Sequence, residues 1–250
     1  MDVHGTNYGM EMRNGNYCEC VALVNMLKDC GKNKDLCKGS RLHDDILRKG
    51  LFGKNSYVSS SLVSMYVKCG SLTKAQELID ELLVRDVISW SALIAGYAQE
   101  GKGLDALNCF EQMKREGIFP DAITFTCMLN VCGRAGALEK GKQIHENIVS
   151  RELLETDIVL GNALIDMYAT CGALTRAVEV LEGIYVRDSV CWTSLLAGYV
   201  EHGLCLQALH CFEYMEFEGV SPNFATFICI LKGCGLIHAI EKGQDIHTHI

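Results

Sequence analysis

The sequence predicts an all-α fold, a right-handed α-solenoid of stacked helix-turn-helix repeats. The first observation is an internal repeat with a period of 102 residues. Residues 96–121 read GYAQEGKGLDALNCFEQMKREGIFPD, and residues 198–223 read GYVEHGLCLQALHCFEYMEFEGVSPN. The only two prolines, Pro120 and Pro222, fall at the same place in both copies. A fixed period indicates a stacked array, which offers a long surface instead of one pocket and favours binding over catalysis.

The second observation is that the period divides into three similar segments. Residues 56–86, 87–121 and 122–157 are 31, 35 and 36 residues long. Each segment holds two runs of helical length joined by a short turn that contains glycine. A single helix hairpin cannot bury its apolar face, so neighbouring hairpins are expected to stack.

In segment 87–121 the first run predicts a helix from about residue 88 to residue 99. Its apolar side chains recur at spacings of three and four, which places them on one face: Trp90, Leu93, Ile94 and Tyr97. Gly101 follows, where a left-handed cap requires a residue without a Cβ.

The second run of this segment predicts a helix from about residue 103 to residue 116. One face of it carries four apolar side chains, Leu104, Leu107, Phe110 and Met113. Gly117 and Pro120 end the run, because proline cannot continue a helix.

Three stretches of the chain carry a family resemblance. Residues 161–188 read GNALIDMYATCGALTRAVEVLEGIYVRD, residues 89–121 read SWSALIAGYAQEGKGLDALNCFEQMKREGIFPD, and residues 124–145 read TFTCMLNVCGRAGALEKGKQIH. The chain resembles a pentatricopeptide repeat (PPR) protein of the plant PLS type, which mixes short, standard and long repeats. These three stretches match the short, the standard and the long motif in that order.

The resemblance implies a division of the chain into repeats. After an N-terminal segment at 1–19, expected to be weakly ordered, come a long repeat at 20–55, a short one at 56–86, a standard one at 87–121, a long one at 122–157, a short one at 158–188, a standard one at 189–223 and an incomplete long one at 224–250. The family's deaminase-like domain, with its His-x-Glu and CxxC signature, is not found. We therefore expect either a fragment or a chain that recruits a separate enzyme.

The composition limits the function classes. The apolar share of 49% is enough for a continuous core, and no run approaches eighteen apolar residues, so we expect no membrane span. The N-terminus shows neither a secretory nor a transit-peptide pattern.

The formal net charge of −8 counts against a nucleic-acid partner, since phosphate contacts normally require a basic excess. Acidic residues collected on the opposite side of the array, or binding that rests on base contacts, would remove the conflict.

The cysteines and histidines suggest a metal site at first sight. Most of the 14 cysteines recur at repeating helical positions without a CxxC pair, which indicates small buried residues and reduced thiols. His43, His145 and His247 recur one period apart, too far from one another to share an ion. We interpret them as packing residues and expect no metal and no cofactor.

The resemblance implies where RNA is read, since each PPR repeat reads one base. In the family the fifth and the last residue of a repeat read the base. The pairs carried over are Ser60 with Asp86, Ser91 with Asp121, Asn162 with Asp188, and Thr193 with Asn223. Thr126 with Asp157, and Val24 with Asn55, are weaker readers in long repeats. The second residues, expected to sandwich the base, are Tyr57, Ile88, Val159 and Val190.

The chemistry of these side chains agrees with the bases that the resemblance implies. Ionised Asp only accepts hydrogen bonds and suits guanine or uracil, whereas Asn can also donate and can serve adenine. A short Ser or Thr leaves room for a purine, and Asn reaches a pyrimidine. The implied RNA is N-G-G-(G or N)-U-A. Val24 is apolar and Ile228 has no last residue as a partner, so neither repeat is expected to discriminate.

Ordinary helix capping offers another interpretation of the last residues. Asp86, Asp121, Asp157 and Asp188 each precede a predicted helix, where Asp is a preferred N-cap. Capping and base reading do not exclude each other. The fifth residues are harder to explain by capping, because small polar side chains there interrupt an apolar helix.

The leading hypothesis is a sequence-specific single-stranded RNA binder without catalysis of its own. By resemblance it acts in a mitochondrion or chloroplast on RNA processing, above all at C-to-U editing sites, with an editing or processing enzyme supplied in trans. No DNA partner is expected. The alternative is a protein-binding helical scaffold of the tetratricopeptide type, which the negative charge favours and the unequal repeat lengths disfavour. An enzyme is not expected, since no nucleophile–base pair or phosphate loop is found.

Overall fold

The computed structural model of the chain describes residues 5–155 and 157–248. The chain forms two compact units, Met1–Asp121 and Ala122–Ile250. Regular structure in the described residues is helical, with no strand, which confirms the all-α prediction. None of the described helices is both long and apolar enough to cross a bilayer.

The first unit is a stack of three helix hairpins. Its helices are α1 (Gly5–Asn33), α2 (Leu36–Arg48), α3 (Ser56–Lys68), α4 (Leu72–Glu81), α5 (Val87–Gln99) and α6 (Gly103–Arg115). The odd-numbered helix of each hairpin is called its first helix, and the even-numbered one its second helix. Helix α3 packs between α1 and α5, and α4 contacts both α3 and α5. The first helices therefore form a continuous row within this unit.

The second unit repeats this arrangement with four hairpins. Its helices are α7 (Ala122–Ala135), α8 (Leu138–Val149), α9 (Ile158–Thr170), α10 (Leu174–Gly183), α11 (Ser189–Glu201), α12 (Cys205–Phe217), α13 (Phe224–Leu236) and α14 (Ile240–Thr248), with a 3-10 turn at Leu153–Glu155. Helix α9 packs against α7 and α11, and α11 also packs against α13. Helices α3, α5, α7, α9, α11 and α13 begin at the first residues of the predicted segments.

The glycines that follow the first helices adopt the conformation that the sequence predicts. Gly101 has φ 73° and Gly203, one period later, has φ 75°. In each case the next amide closes the turn: Lys102 N donates to Tyr97 O at 2.9 Å, and Leu204 N to Tyr199 O at 2.8 Å. A side chain with a Cβ is disfavoured in this left-handed region, so the expected glycine caps are confirmed.

Helix α1 begins at Gly5, inside the N-terminal segment predicted at 1–19. The expected weak order of that segment stays a prediction. Residues 1–4 lie outside the described part, as do residues 249–250 of the last predicted repeat and the side chain of His247.

Candidate nucleic-acid interface

Five of the predicted last residues, all except Asp121, are seen as N-caps of the next first helix. Asp86 accepts from Ser89 N at 2.8 Å, and Asp188 accepts from Val190 N at 2.9 Å. Asp157 and the asparagines at 55 and 223 cap helices in the same way. Capping therefore accounts for part of the sequence signal, and it fixes each of these side chains at the start of a first helix.

Two of the predicted base-reading pairs are brought into direct contact. The Ser91 hydroxyl donates to Asp121 Oδ1 at 3.1 Å. The Asn162 amide nitrogen lies 3.4 Å from both carboxylate oxygens of Asp188. In each pair the fifth residue comes from a first helix, and its partner is the last residue of the same repeat, directly before the next first helix. The contact of Asn162 is longer than the usual 2.7–3.2 Å, so a ligand can replace it at low cost.

The other predicted pairs are not joined directly. Ser60 donates to Ser56 O at 2.9 Å, a helix-internal bond, and no hydrogen bond links it to Asp86 within residues 5–155. Thr193 donates to Ser189 O at 2.6 Å. Its hydroxyl oxygen also lies 2.7 Å from that of Thr226, the residue that completes a capping box with Asn223.

Asparagine at the last position makes a different contact from aspartate. Asn223 donates through its amide nitrogen to Ser189 Oγ at 3.2 Å, and Asn55 donates to Cys20 Sγ at 3.4 Å. Ser189 and Cys20 are the first residues of the repeats that Asn223 and Asn55 end. Val24, the fifth residue of the 20–55 repeat, is half-buried, as is Thr126 in the repeat that Asp157 ends.

Asn162 carries an acceptor without a partner. Its Oδ1 is buried and receives no hydrogen bond from any described residue. Leaving a buried acceptor unsatisfied costs about 1–3 kcal/mol. Because Oδ1 has no accessible surface, a ligand would bind the pair through the Asp188 carboxylate, which accepts from an N–H group, and the Asn162 amide nitrogen, which donates.

The predicted sandwiching residues form a row of exposed apolar side chains. Tyr57, Ile88, Val159 and Val190 are 74%, 53%, 55% and 49% exposed. Two more members were missed in the sequence: Val21 is 43% and Ile123 62% exposed, each at the second position of a long repeat. The same offset from the repeat boundary would have found them. Apolar side chains exposed once per first helix suit the faces of bases.

A groove in the first unit adds positive charge beside the predicted readers. Its volume is about 500 Å³, and its lining includes the base-reading Ser60, the sandwiching Ile88 and three lysines, Lys28, Lys32 and Lys68. We call these three the groove lysines; Asp29 also lines the groove. Sequence reasoning missed them, although Lys28 and Lys32 stand four residues apart, on one face of a helix.

The first helices other than α1 carry at most one charged residue each, whereas α1 carries both acidic and basic residues. Helix α5 has none, α7 has only Arg134, and α11 has only Glu201. Helix α9 has only Asp166, whose pKa burial raises, against a weaker opposing effect of a hydrogen bond from Ser194. Most acidic residues therefore lie in the second helices and turns. Acidic residues kept away from the first helices are one of the two arrangements that would reconcile a net charge of −8 with an RNA partner.

The cysteines have the properties of buried structural thiols. All 14 are free, and only Cys18 and Cys37 are exposed. Burial raises the pKa of Cys109 and Cys211 to about 12, and that of Cys132 to about 11. These thiols stay protonated at neutral pH and are poor nucleophiles and poor metal ligands.

The histidine series has a structural explanation in both units. His43 Nδ1 lies 3.0 Å from the Tyr66 hydroxyl, and His145 Nδ1 lies 3.0 Å from the Tyr168 hydroxyl. Each pair joins a second helix to the next first helix. Burial lowers the pKa of both histidines. No cluster of three or more possible metal ligands occurs among the described residues.

Comparison with known proteins identifies the family of the repeats. A family model described as PPR repeat family matches residues 85–134 and 187–235, and one described as PPR repeat matches 57–87 and 123–153. Together these matches cover more than half of the chain.

Curated plant proteins are similar along most of the chain. A pentatricopeptide repeat-containing protein of Arabidopsis thaliana is 34% identical over 220 residues, which is 88% of this chain and 44% of the relative. Another from the same plant, named as chloroplastic, is 33% identical over 230 residues, 92% of this chain and 36% of the relative. The chain therefore spans less than half the length of these relatives.

Solved structures show the same fold. The crystal structure of the pentatricopeptide repeat protein PPR10 from maize matches with a TM-score of 0.70 and 18% identity, covering 91% of this chain and 33% of that one. PPR10 in complex with an 18-nt psaJ RNA element matches with a TM-score of 0.74 and 19% identity, covering 91% of this chain and 34% of that one. Family models and fold agree with the repeat pattern of the sequence: this chain belongs to the pentatricopeptide repeat family.

Proposed function

We propose that this chain binds single-stranded RNA in a sequence-specific way along its first helices, one base per repeat. The observation that carries the proposal is the contact between fifth and last residues, Ser91 with Asp121 and Asn162 with Asp188. Each pair presents hydrogen-bonding groups at the junction of two repeats, between apolar side chains that can hold a base. The RNA complex of the structural relative PPR10 supports the same kind of ligand.

The proposed RNA core is N-G-G-(G or N)-U-A, read with the N-terminus towards the 5′ end. Ser60 with Asp86 and Ser91 with Asp121 read guanine, because the short hydroxyl leaves room for a purine and the carboxylate accepts from its ring N–H. Asn162 with Asp188 reads uracil, because its N3–H can donate to the carboxylate and its carbonyl oxygen can accept from the Asn162 amide nitrogen. Thr193 with Asn223 reads adenine, because the amide nitrogen of Asn223 can donate to a ring nitrogen.

We further propose a role in organelle RNA metabolism, with recognition of C-to-U editing sites as the specific task. The mixed PLS repeat lengths support this, as does the word chloroplastic in the name of one relative. A mitochondrion is the other candidate compartment. The chain would supply the binding and a separate editing or processing enzyme the chemistry.

The experiment that tests RNA binding is selection from a pool of random short single-stranded RNAs at moderate salt, followed by sequencing of the bound fraction. We expect enrichment of a G-G-x-U-A core. Binding without sequence preference would contradict base reading. No binding at all would favour the alternative, a protein-binding scaffold.

The substitution Asn162→Thr tests the register of the proposed pairs. The shorter side chain removes the amide that reaches a pyrimidine and leaves room for a purine beside Asp188. We expect preference at that single base to move from uracil to guanine, by about 1–3 kcal/mol. Binding to the two RNAs that differ at this base gives the measurement.

A matched control is Asn223→Asp, one repeat further along. Asp caps a helix as well as Asn does, so the fold is kept. An acceptor replaces the donor, and preference at the next base should move from adenine to guanine. If either variant changes preference at a different base, or at none, the proposed register is wrong.

A further inference from the structure

Two helix hairpins of this chain hold a methionine of the next first helix between two glycines. A Cβ built on Gly39 of α2 would lie 2.7 Å from Met65 Cε, and one built on Gly141 of α8 would lie 2.7 Å from Met167 Cε. On the first helix of the same hairpin, a Cβ on Gly133 would lie 3.4 Å from Met167 Cα, and the counterpart in the first unit makes the same contact at 3.5 Å. The two glycines of each hairpin therefore leave room for the methionine side chain and for the backbone that carries it.

The helices that bring these methionines share a short pattern. Both read Leu-x-x-Met-Tyr, at residues 62–66 of α3 and residues 164–168 of α9. The leucine and the methionine are buried in both copies. The tyrosine hydroxyl lies 3.0 Å from the histidine of the preceding second helix in both copies. The pattern therefore marks the face with which a first helix covers the hairpin before it.

A third pair of glycines stands at the same register on α13 and α14. Gly235 and Gly243 follow Gly133 and Gly141 by 102 residues. A Cβ on Gly235 would meet nothing within 4 Å, and one on Gly243 would meet only Cys234 Cβ, at 3.6 Å. Both glycines line a groove of about 610 Å³, which we call the α13–α14 groove. In the part of the chain that the structure describes, no methionine fills it.

The surface of the α13–α14 groove is apolar and open. Its described lining includes Leu231, Ala239 and Ile240, and it includes no Asp, Glu, Lys or Arg. Ile240 is 71% exposed. Leu231 is half-buried, whereas its counterparts Leu27 and Leu129 are 0% exposed. Among the described residues, the face that a neighbouring helix covers in two copies of the period is thus uncovered in the third.

We propose that the α13–α14 groove binds a helix of a partner protein that carries the Leu-x-x-Met-Tyr pattern, in the way that α7 and α8 bind α9. The methionine of that helix enters between Gly235 and Gly243, since a flexible, unbranched side chain suits a narrow gap. An amphipathic helix laid into an apolar groove is a common mode of protein recognition. A second folded copy of this chain cannot supply the helix, because Met65 and Met167 are both buried within their own units.

The probe for this groove is a peptide with the sequence of α9, Ile158–Thr170, held helical by a hydrocarbon link between positions 162 and 166. Asn162 contacts Asp188, and Asp166 accepts a hydrogen bond from Ser194 of α11, so the link lies on the side of α11. Circular dichroism verifies that the linked peptide is helical. We expect saturable binding to the whole chain, measured by fluorescence anisotropy.

Variants of the peptide test the role of the methionine. Met167→Ala in the peptide removes the side chain that fills the gap, and should weaken binding at least tenfold. Val159→Ala is the matched control, because Val159 is exposed in α9 and should contribute little to binding. We expect the affinity of this control peptide to stay within twofold of the original. Equal affinity of the Met167→Ala peptide would overturn the proposal.

Variants of the chain test the location. Gly243→Ala places a methyl group where the methionine would enter, and should weaken the original peptide at least tenfold. Gly183→Ala on α10 is the control, because a Cβ there also meets nothing within 4 Å, and it should leave the affinity unchanged. No binding of the helical peptide, or equal binding to the Gly243→Ala chain, would show that the groove is not its site. The measurement contains no RNA, so its outcome is independent of the proposed RNA binding.

Discussion

At the scale of single residues, Asp188 combines helix capping with the base reading proposed for it. Its Oδ1 accepts from the backbone amides of Val190 and Cys191, and the same carboxylate lies 3.4 Å from the amide nitrogen of Asn162. The capping bonds fix the carboxylate before any ligand arrives, which lowers the ordering cost of binding. This is why a residue with an ordinary structural explanation is also a suitable base reader.

The buried His–Tyr pairs predict a pH-dependent stability. Burial lowers the pKa of His43 and His145 in the folded chain, whereas in the unfolded chain it returns to about 6.5. Below that pH the unfolded state binds more protons, so the free energy of unfolding falls as pH falls through this window. The stabilisation is fully present above about pH 6.5.

Urea unfolding at pH 7.5 and pH 5.5 measures the effect of these pairs. We expect the wild type to lose stability at the lower pH, and the double variant His43→Gln/His145→Gln to lose less. Gln stays neutral and can still hydrogen-bond to the tyrosine hydroxyls. Asp166, whose raised pKa acts in the opposite direction, is present in both proteins and cancels in the comparison. Equal losses in both would show that the histidines do not carry the pH dependence.

At the scale of elements, close packing at glycine limits how near two neighbouring first helices lie to each other. A Cβ built on Gly198 of α11 would lie 2.6 Å from Ala169 Cβ and 3.1 Å from Ala169 Cα of α9. Its counterpart Gly96 on α5 has Val67 Cγ1 at 2.6 Å. Both first helices pack against the preceding first helix at this point, so the glycine sets the distance between neighbouring repeats.

The substitution Gly198→Ala is expected to destabilise the chain. Overpacking of this kind costs about 1–3 kcal/mol, because the backbone of Ala169 cannot move aside as a flexible side chain can. The gain in helix propensity, about 1 kcal/mol, offsets only part of that cost. The midpoint of urea unfolding gives the measurement.

Gly235 on α13 offers the matched control, because a Cβ there would meet nothing within 4 Å. Gly235→Ala should stabilise by about 0.5–1 kcal/mol, the usual gain from replacing a helical glycine. If the two variants shift stability in the same direction, close packing at Gly198 is not the constraint.

At the scale of the whole molecule, the proposed RNA binding depends on how the charge of this acidic chain is distributed. The net charge is −8, yet the first helix α5 carries no charged side chain and α7, α9 and α11 carry one each. The groove lysines stand beside Ser60 in the first unit. Each unit therefore presents a row of nearly neutral helices, where base contacts can dominate over phosphate contacts.

The groove lysines predict a measurable salt dependence. Changing Lys28, Lys32 and Lys68 to Gln should weaken matched and mismatched RNAs equally, because phosphate contacts carry no sequence information. The slope of log K against log salt should decrease in magnitude by about 2, as expected for three contacts to a single strand. RNA binding titrated at several salt concentrations gives both quantities.

The control triple variant changes Lys38, Lys74 and Lys114 to Gln, one on each second helix of the same unit. It removes the same charge, and we expect little change in the slope. A larger effect from this triple than from the groove lysines would place the RNA on the second helices.

The sequence alone determined the all-α class and the glycine caps. The first helices from α3 onwards begin where the predicted segments begin, while the division into long, short and standard repeats stays a prediction. These features are local: apolar spacing, a left-handed turn and a capping aspartate act within a few residues of the chain. The His series was also interpretable as packing, because positions one period apart cannot share a metal. The start of α1 at Gly5 was not predictable, since a segment without strong periodicity gives no local signal for a helix.

Only the tertiary structure decided which predicted partners meet. Ser91 reaches Asp121 and Asn162 reaches Asp188, while Ser60 bonds to its own helix, because packing between neighbouring first helices sets these distances. The grouping of the three groove lysines is likewise visible only in the tertiary structure, as is the buried indole N–H of Trp192, which has no acceptor among the described residues. The residues that create them lie on different helices, and nothing in the linear spacing shows that they share one cavity.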